Sequence, residues 1–483
     1  LFSFLFLFCR RRRSAANDGN LPPSPWKLPI IGNLHQVGPL AHRSLQSLSR
    51  RCGPVMLLRF GSFPVVVVSS AEAAGEVLKN QDLKFADRPK LGMARRLMYG
   101  CRDIAFSAYG EYWRRIRSIC VVHLLSNKKV QSFRRVREEE TSNMVERIKQ
   151  NGSSSPVNLS EMIYEVTNDV ITRVSLGKQY EKEDEEGTRF RKLLTRVSVM
   201  FGAIDVEDVV PWLGWINRIN GLNTEAEKIA SEVDEFLGDL IRESREKDKR
   251  NCSEEEMSNF VDILLDFQRE HEDESPVEDD TIKAIILDMF VAGTDTTSNA
   301  LIWAVAELLK NPAAMEALQR EVRNAVDDKG SELAITEEDV NKMPYLKAVV
   351  RETLRLHPPA PLLLPHESTQ RTTVMGYEIP SRVRVMINAW AIMNDPTVWV
   401  DPQDFKPERF LLIQQNIDFN EQLQFKYIPF GSGRRGCPGT NFATAVVELV
   451  VAKLVYHFDF SLPEVELDMS EAPGITLRKK VPL

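Results

Sequence analysis

The sequence predicts a mainly helical protein with a small β region. Two long apolar segments, Asp280–Lys310 and Asn441–Phe458, have the length and composition of buried helices. Acidic residues open the first segment and an Asn-Pro pair closes it, as expected at the two ends of a helix. Two β-branched runs, Val55–Phe60 and Val65–Ser69, are separated by a Gly-Ser pair and predict a hairpin, which places the β region near the N-terminal third of the chain.

Composition limits the classes of function. The 483 residues are 43% hydrophobic and 27% charged, which is ordinary for a folded globular protein. The net charge of -7 argues against nucleic acid as the main partner. The six cysteines are scattered without a Cys-x-x-Cys pair, so the sequence predicts a reducing compartment rather than a disulfide framework.

The N-terminal residues divide into two segments ahead of the main domain. Leu1–Phe8 is apolar and Arg10–Arg13 is basic, but a bilayer span needs roughly 20 apolar residues. We interpret residues 1–13 as the cytosolic end of a truncated membrane anchor with a basic stop. A signal-peptide remnant is disfavoured because signal peptides carry their charge before the apolar run, whereas here the arginines follow it. Residues 14–33 contain four prolines and predict a stiff hinge, which leaves 34–483 as one domain.

The centre of the first long helix is unusually polar. Ala292–Thr297 places a glycine, an acid and three hydroxyls within an apolar segment. Gly293 costs about 1 kcal/mol relative to alanine in a helix interior. Threonine hydroxyls can also compete for backbone carbonyls and open the helix locally. One interpretation is a polar patch that the helix tolerates. The other interpretation is a chemical role for Asp295 and Thr296.

A glycine-rich loop carries the strongest chemical signal. Phe430–Gly439 contains four glycines and one cysteine, Cys437, which lies just before the second long helix. Unpaired amides and the dipole at a helix N-terminus favour a thiolate there. With no second cysteine or histidine nearby, the loop cannot build a zinc site, but Cys437 can be the single axial ligand of a haem iron. A nucleotide-binding loop is excluded because the G-x-x-x-x-G-K-[ST] pattern is missing.

This loop resembles the haem loop of the cytochrome P450 monooxygenases. The family pattern Phe-x-x-Gly-x-Arg-x-Cys-x-Gly is matched at every fixed position, including Phe430, Arg435 and Gly439. The resemblance runs from the proline hinge to Leu483. The segments that begin at Leu21 and Pro429 resemble plant microsomal enzymes of family seventy-one. The resemblance implies the cytochrome P450 fold, with a single haem domain over residues 34–483.

The resemblance also implies roles for individual residues. Cys437 would ligate the iron of haem b (iron protoporphyrin IX), and Asp295 and Thr296 would deliver protons. The haem would also be held by the side chains predicted to bind its propionates and by the loop residues around them: Trp113, Arg117, His366, Phe430, Arg435 and Gly439. His366 stands where many relatives have arginine, and we expect its charge to depend on pH. A buried network of Glu352, Arg355 and Arg409 would lock the core under the haem.

The implied reaction is the insertion of one oxygen atom from O₂ into an apolar plant secondary metabolite. Electrons would come from NADPH through NADPH-cytochrome P450 reductase, docked on basic residues near Cys437 (Arg114, Arg115, Lys128, Lys129, Arg134, Arg135 and Arg137). The expected location is the cytosolic face of the endoplasmic reticulum membrane. Two alternatives stay open: an O₂-independent haem-thiolate isomerase or dehydratase, whose members usually lack the Asp-Thr pair, and a non-enzymatic haem carrier or sensor.

Family analogy places the substrate contacts in five stretches of the chain. These stretches are rich in Phe, Leu, Ile and Met and contain few charges, which indicates an apolar ligand. They are Met98–Phe106, Phe201–Val210, Asp288–Ala292, Ala360–Leu364 and Gly474–Ile475.

Overall fold

A computed structural model describes most of the chain. It covers residues 20–152, 156–179, 185–248, 258–271, 277–327, 335–414, 423–461 and 467–483. The predicted anchor, residues 1–13, lies outside the described residues, as does the first part of the predicted hinge. Within the described ranges, no helix combines the length and the apolar character needed to cross a bilayer.

Helices make up most of the described chain, as predicted. The α-helices span Ala41–Cys52, Ala71–Gly75, Gly92–Leu97, Glu111–Ile119, Asn127–Ser132, Arg134–Gly152, Leu159–Leu176, Glu185–Phe201, Ile216–Ile219, Leu222–Asp248, Phe260–Glu270, Asp279–Lys310, Pro312–Asp327, Glu337–Val340, Pro344–Leu356, Ala389–Met393, Glu408–Gln414 and Thr440–His457. Short 3₁₀ turns occupy Leu34–Gln36, Asp82–Lys84, Val206–Asp208, Pro211–Leu213 and Gly433–Arg435, and π-helical turns occupy Glu76–Asn80 and Cys120–Leu124.

The core is built around the helix Asp279–Lys310, which we call the central helix. It packs on Leu159–Leu176 and Thr440–His457. Apolar residues surround the central helix on all sides, and a helix with that pattern is buried rather than amphipathic. Its predicted bounds differ from the observed ones by one residue. The helix predicted at Asn441–Phe458 is likewise confirmed, displaced by one residue to Thr440–His457.

The strands form one sheet of four strands and two small hairpins in the described part of the chain. The strands are β1 Val55–Phe60, β2 Phe63–Val68, β3 His366–Glu367, β4 Thr372–Val374, β5 Tyr377–Ile379, β6 Arg384–Ile387, β7 Glu471–Ala472 and β8 Arg478–Lys479. The four-stranded sheet has the order β1-β2-β6-β3. β1 and β2 form the predicted antiparallel hairpin, and β2 pairs in parallel with β6, with Val65 opposite Arg384.

One sequence-based expectation about the fold was wrong. The β region is not confined to the N-terminal third, because β3 and β6 come from beyond residue 365 and complete the sheet. The sequence does predict a strand at Arg384–Ile387, and β6 confirms it with the same bounds. Short-range patterns identify hairpins and helices, whereas pairing between strands distant in sequence depends on tertiary packing.

Candidate active site

An apolar cavity of about 360 Å³ lies between the central helix and the loop Phe430–Gly439, which we call the cysteine loop. All five stretches expected to contact a substrate contribute to its wall. Among their wall residues are Met98, Phe106, Phe201, Met289, Leu363 and Ile475. The rings of Phe106 and Phe201 are stacked, with centroids 5.6 Å apart. The cavity therefore brings together apolar side chains from widely separated parts of the chain around Cys437.

The cysteine loop is fixed by backbone contacts that require glycine. Gly433 has φ +70°, and a Cβ there would lie 2.1 Å from the carbonyl oxygen of Leu78. The amide of Cys437 donates to the carbonyl of Phe430 over 2.9 Å, which closes the loop on itself. The Gly433–Arg435 turn and the helix that begins at Thr440 flank Cys437. Cys437 is thus presented to the cavity on a rigid turn.

The electrostatic environment of Cys437 differs from the expectation. Burial raises the pKa of the Cys437 thiol, while the amide of Gly439, the guanidinium of Arg117 and the hydroxyl of Thr440 lower it, and burial dominates. The amide of Gly439 near the helix N-terminus thus favours the thiolate, as the sequence-based argument expects, but burial outweighs it. A thiolate in this position needs an additional positive charge, such as a metal ion bound to the sulfur.

Four arginines lie on the cavity wall, and three of them, Arg88, Arg117 and Arg435, are close enough to repel one another. Burial and repulsion by Arg435 lower the pKa of Arg88 to about 9. Burial lowers the pKa of Arg435 to about 10, with further repulsion by Arg117. Burial also lowers the pKa of Arg117. Buried cations that repel one another fit an anionic group bound between them. The two carboxylates of haem carry such charge, so this donor set fits the cofactor.

Arg88 was missed by the sequence analysis. Its Nε donates to the carbonyl of Ala105, and its Nη1 donates to the carbonyls of Leu364 and Pro365. It therefore connects two of the stretches that line the cavity. No local pattern around Arg88 marks it, because an isolated arginine before a proline is ordinary in a surface loop.

The residues predicted to hold propionates are near one another, but not all of them reach the cavity. Arg435 lies over the ring of Trp113, with 4.0 Å from Cζ to the ring centroid. Trp113 Nε1 donates to the carbonyl of Ile104 over 3.0 Å, and Trp113 is not among the cavity-lining residues. Arg117 Nη2 donates to the carbonyl of Gly436 over 2.7 Å. These contacts tie the cysteine loop to the segment around Ile104.

His366 lines the cavity as a neutral ring. Its Nδ1 lies 2.8 Å from the carbonyl oxygen of Phe85, so the tautomer with a proton on Nδ1 makes a hydrogen bond. Burial and repulsion by Arg88 lower the pKa of His366 to about 3. The expectation that its charge depends on pH is therefore wrong near neutrality. The cause is that His366 faces other buried cations rather than solvent.

The central helix runs unbroken past its polar centre, so the local opening suggested by Gly293 is not seen. A Cβ at Gly293 would lie 2.9 Å from Ile171 Cδ1, which gives this glycine a packing role. Thr296 Oγ1 donates to the carbonyl of Ala292 over 2.6 Å. Asp295 and Thr296 both line the cavity on the side facing the cysteine loop.

The carboxylate of Asp295 is held by residues that the sequence analysis did not connect to it. Thr476 Oγ1 donates to Oδ2 over 2.7 Å, and Arg478 Nη2 donates to Oδ1 over 2.6 Å. Both donors come from the C-terminal hairpin, which we define as β7, β8 and the turn between them, residues 471–479.

Glu352, Arg355 and Arg409 form one network, as predicted. Arg355 donates from Nε and Nη2 to the two carboxylate oxygens of Glu352 over 2.7 and 2.8 Å, and Arg409 Nε donates to Oε1 over 2.9 Å. The side chains of Glu352 and Arg355 are both 0% exposed. Taken alone, the i, i+3 spacing suggests an exposed pair, whereas the structure places it fully inside.

Ion pairs occupy part of the basic cluster that was predicted to dock the reductase. Arg137 is buried and paired with Glu337, and Arg134 pairs with Glu138 and Glu338. Lys128 and Lys129 lie on the helix Asn127–Ser132, whose Asn127 accepts a hydrogen bond from Asn441 next to the cysteine loop. Interhelical ion pairs thus neutralise part of a cluster that looks uniformly basic in sequence.

A single cysteine below an apolar cavity, with buried arginines at its edge, is the arrangement expected of a haem-thiolate protein. The family model of cytochrome P450 matches residues 22–482. The chain belongs to the cytochrome P450 family, whose members carry haem, and it is a monooxygenase of the oxidoreductase class. The predicted fold class is confirmed by this match and by solved structures.

The most similar curated proteins include plant enzymes. Cytochrome P450 71A6 of Nepeta racemosa is 53% identical, over 99% of this chain and 96% of its own length. The (+)-menthofuran synthase of Mentha piperita is 51% identical, with coverage of 99% and 95%. A zebrafish cytochrome P450 solved with abiraterone has a TM-score of 0.76 and 28% identity, over 92% of this chain and 97% of that chain. The resemblance to plant family seventy-one is thereby confirmed.

Proposed function

We propose that this enzyme inserts one oxygen atom from O₂ into an apolar plant secondary metabolite, with Cys437 as the axial ligand of haem b. The observation that carries the proposal is the meeting of Cys437, the buried Arg88 and the half-buried Arg117 and Arg435 on one apolar cavity. Haem, when bound, activates O₂ and transfers one oxygen atom, and a thiolate ligand favours O–O cleavage.

Several side chains of this chain would hold the cofactor. Arg88, Arg117 and Arg435 supply cationic donors for its two carboxylates, and planar guanidinium groups match carboxylates geometrically. Trp113 supports Arg435 from behind through its ring. His366 contributes a neutral wall, and Phe430 and Gly439 frame the turn that carries Cys437.

Asp295 and Thr296 would deliver protons to the reacting oxygen. Apart from these residues and their partners on the C-terminal hairpin, the wall near the central helix is mostly apolar and offers few proton donors. The Thr296 hydroxyl can orient a water, and the Asp295 carboxylate can connect that water with solvent. General acid catalysis of this kind contributes typically 10²–10⁴-fold.

The substrate would be a small apolar molecule. The cavity wall is dominated by aliphatic and aromatic side chains, including the stacked pair Phe106 and Phe201. The names of two relatives, (+)-menthofuran synthase and the tabersonine/lochnericine 19-hydroxylase of Catharanthus roseus, both refer to small plant metabolites. Hence a terpenoid or alkaloid skeleton is the first class to test.

The remaining partners are the reductase and the membrane. Lys128 and Lys129 beside the cysteine loop would receive NADPH-cytochrome P450 reductase. Residues 1–13 would anchor the chain in the endoplasmic reticulum membrane, 14–33 would form the hinge, and 34–483 would lie on the cytosolic face. Exposed tryptophans support this orientation, since Trp212 and Trp215 are 62% and 56% exposed and tryptophan favours membrane interfaces.

Some of the exposed apolar residues lie in two segments that meet at one turn of the sheet. The amide of Gly61 donates to the carbonyl of Ile31, and the amide of Ser62 donates to the carbonyl of Val209. The turn between β1 and β2 thus joins the proline hinge, which exposes Trp26 and Ile30, to the segment that exposes Trp212 and Trp215. We call these four exposed residues the apolar face.

Turnover with labelled oxygen tests the proposal. The haem-loaded enzyme would be combined with reductase, NADPH and ¹⁸O₂, after a plant metabolite library has been screened by binding spectra. We expect NADPH-dependent product that carries one ¹⁸O atom. Product without NADPH would instead indicate an isomerase or dehydratase. Tight haem binding with no ligand-induced spectrum and no NADPH consumption would indicate a carrier or sensor.

A further inference from the structure

The carboxylate of Asp295 is held by two residues near the C-terminus of the chain. Each of its oxygens accepts a hydrogen bond from the C-terminal hairpin, one from Thr476 and one from Arg478. Arg478 Nε also lies 3.2 Å from Thr476 Oγ1, so the three side chains form a closed ring of hydrogen bonds. All three line the cavity.

The hairpin that supplies these donors is itself fixed to the core. The carbonyl of Leu477, between the two donors, accepts from Trp303 Nε1 over 3.0 Å, and its amide donates to the carbonyl of Pro359 over 2.9 Å. Trp303 is fully buried on the central helix and stacks on His357 at 3.9 Å. The backbone between Thr476 and Arg478 is therefore held on both sides, and the two donors have defined positions.

The ring also connects the cavity with solvent. The Arg478 side chain is 38% exposed, whereas that of Asp295 is 14% exposed. A carboxylate that passes protons must stay within hydrogen-bond reach of its neighbours, about 2.6–3.2 Å between heavy atoms. An unrestrained aspartate could rotate away from that position. The guanidinium and the hydroxyl remove this freedom, because each holds one oxygen.

We propose that Arg478 and Thr476 are positioning residues for Asp295, so that the C-terminal hairpin controls proton delivery at Thr296. This inference rests on the proposed function of Asp295 and Thr296. A surface ion pair without such a role contributes little and affects no reaction. A positioning role predicts that loss of Arg478 changes the product to which O₂ is reduced, whereas a surface ion pair predicts no such change.

Oxygen fate can be read without knowing the substrate. With no organic substrate, O₂, one NADPH and one proton give H₂O₂ and NADP⁺. Alternatively, O₂, two NADPH and two protons give two waters and two NADP⁺. Because full reduction consumes more protons for each O₂, impaired proton delivery shifts the outcome toward peroxide. Peroxide formed per NADPH consumed is therefore the measurement.

The variants are Arg478→Gln, Arg478→Lys and Thr476→Val, each made in the parent and in an Asp295→Asn background. Arg323→Gln is the matched control, because Arg323 pairs with Asp459 over 2.7 Å and is 40% exposed. We expect Arg478→Gln and Thr476→Val to raise peroxide per NADPH, Arg478→Lys to stay near the parent, and Arg323→Gln to have no effect. In the Asp295→Asn background, Arg478→Gln should cause no further rise.

A second measurement requires no turnover. The urea midpoint of the haem-loaded protein is determined for the same set of variants. Changes at 478 and 295 should be non-additive, whereas changes at 323 and 295 should add. Additive midpoints for 478 and 295, or a peroxide ratio unchanged by Arg478→Gln, would overturn the inference. If the parent consumes no NADPH with reductase, the proposed function fails, and the urea cycle alone decides whether Arg478 holds Asp295.

Discussion

The surroundings of Cys437 shift the pKa of its thiol in opposite directions. Desolvation raises the pKa of its thiol, and only the Gly439 amide, Arg117 and Thr440 act in the other direction. A thiol with this balance becomes a stable thiolate when a metal ion binds it. Metal binding and deprotonation of Cys437 should therefore occur together.

Replacing the ligand tests this directly. We expect Cys437→Ser to lose the red-shifted Soret band of the reduced, CO-bound protein, because a hydroxyl does not donate electrons as a thiolate does. The absorption spectrum checks it. Cys120→Ser is the control, since Cys120 is buried but does not line the cavity. An unchanged band in Cys437→Ser would remove Cys437 as the ligand.

Removal of the Thr296 hydroxyl should change the fate of oxygen without loss of haem. Thr296→Ala should still bind haem but should release more hydrogen peroxide per NADPH, because a hydroxyl near the reacting oxygen is gone. Thr297→Ala is the control, since Thr297 is the adjacent hydroxyl on the same helix. If Thr296 only packs the helix, the variant will instead lose haem or stability while its peroxide ratio stays that of the parent.

Some site residues were readable from the chain and others were not. Cys437 and Arg435 belong to a dense local pattern, so the sequence identified them. Arg88 and the partners of Asp295 could not be found in this way, because each owes its role to a contact with a segment far along the chain. The neutrality of His366 was unreadable for the same reason, since the buried cations beside it come from other segments.

At the scale of elements, the helix Pro344–Leu356 is joined to the segment around Arg409 by one carboxylate. Glu352 accepts from both arginines while fully buried. Removing one partner of a buried ion pair leaves the other charge uncompensated, which costs roughly 3–5 kcal/mol. This connection fixes the segment that leads into the cysteine loop.

Glu352→Gln should therefore lower the free energy of unfolding by about 3–5 kcal/mol and reduce haem retention. Urea unfolding and the haem-to-protein absorbance ratio measure the two effects. Glu146→Gln is the matched control, since Glu146 pairs with Lys149 at the same i, i+3 spacing on an exposed surface. Equal stability of Glu352→Gln and the control would contradict a locking role for this network.

The helix Asn127–Ser132 offers a separate test of reductase docking. Reversing the charge of Lys128 and Lys129 should slow haem reduction at low salt by roughly tenfold, because complementary charge steers association. Stopped-flow reduction at several salt concentrations measures the rate. Charge reversal of Lys192 and Lys228 is the control, because these lysines lie on two other helices, Glu185–Phe201 and Leu222–Asp248. Identical rates and salt slopes for both pairs would exclude docking at this helix.

At the scale of the whole molecule, the apolar face lies on either side of the turn between β1 and β2. Several large exposed apolar side chains in neighbouring segments favour an interaction site. Replacing Trp212 and Trp215 by serine should reduce the fraction of the whole chain that floats with phosphatidylcholine vesicles. The measurement uses high salt, which screens Arg10–Arg13.

Val400→Ser provides the control for vesicle binding, because Val400 is also exposed but belongs to the segment bonded to Arg409. The control should float like the parent. Flotation of the tryptophan variant equal to that of Val400→Ser would show that the apolar face does not meet the membrane.

The four-stranded sheet has a consequence for how the protein is made. A ribosome adds roughly 5–20 residues per second, so β2 emerges many seconds before β6, its parallel partner. During that interval the hairpin exposes an unpaired apolar edge, Val65–Val68, which is a template for aggregation. This edge of β2 therefore stays open to pairing with other chains until the last third of the chain has been synthesised.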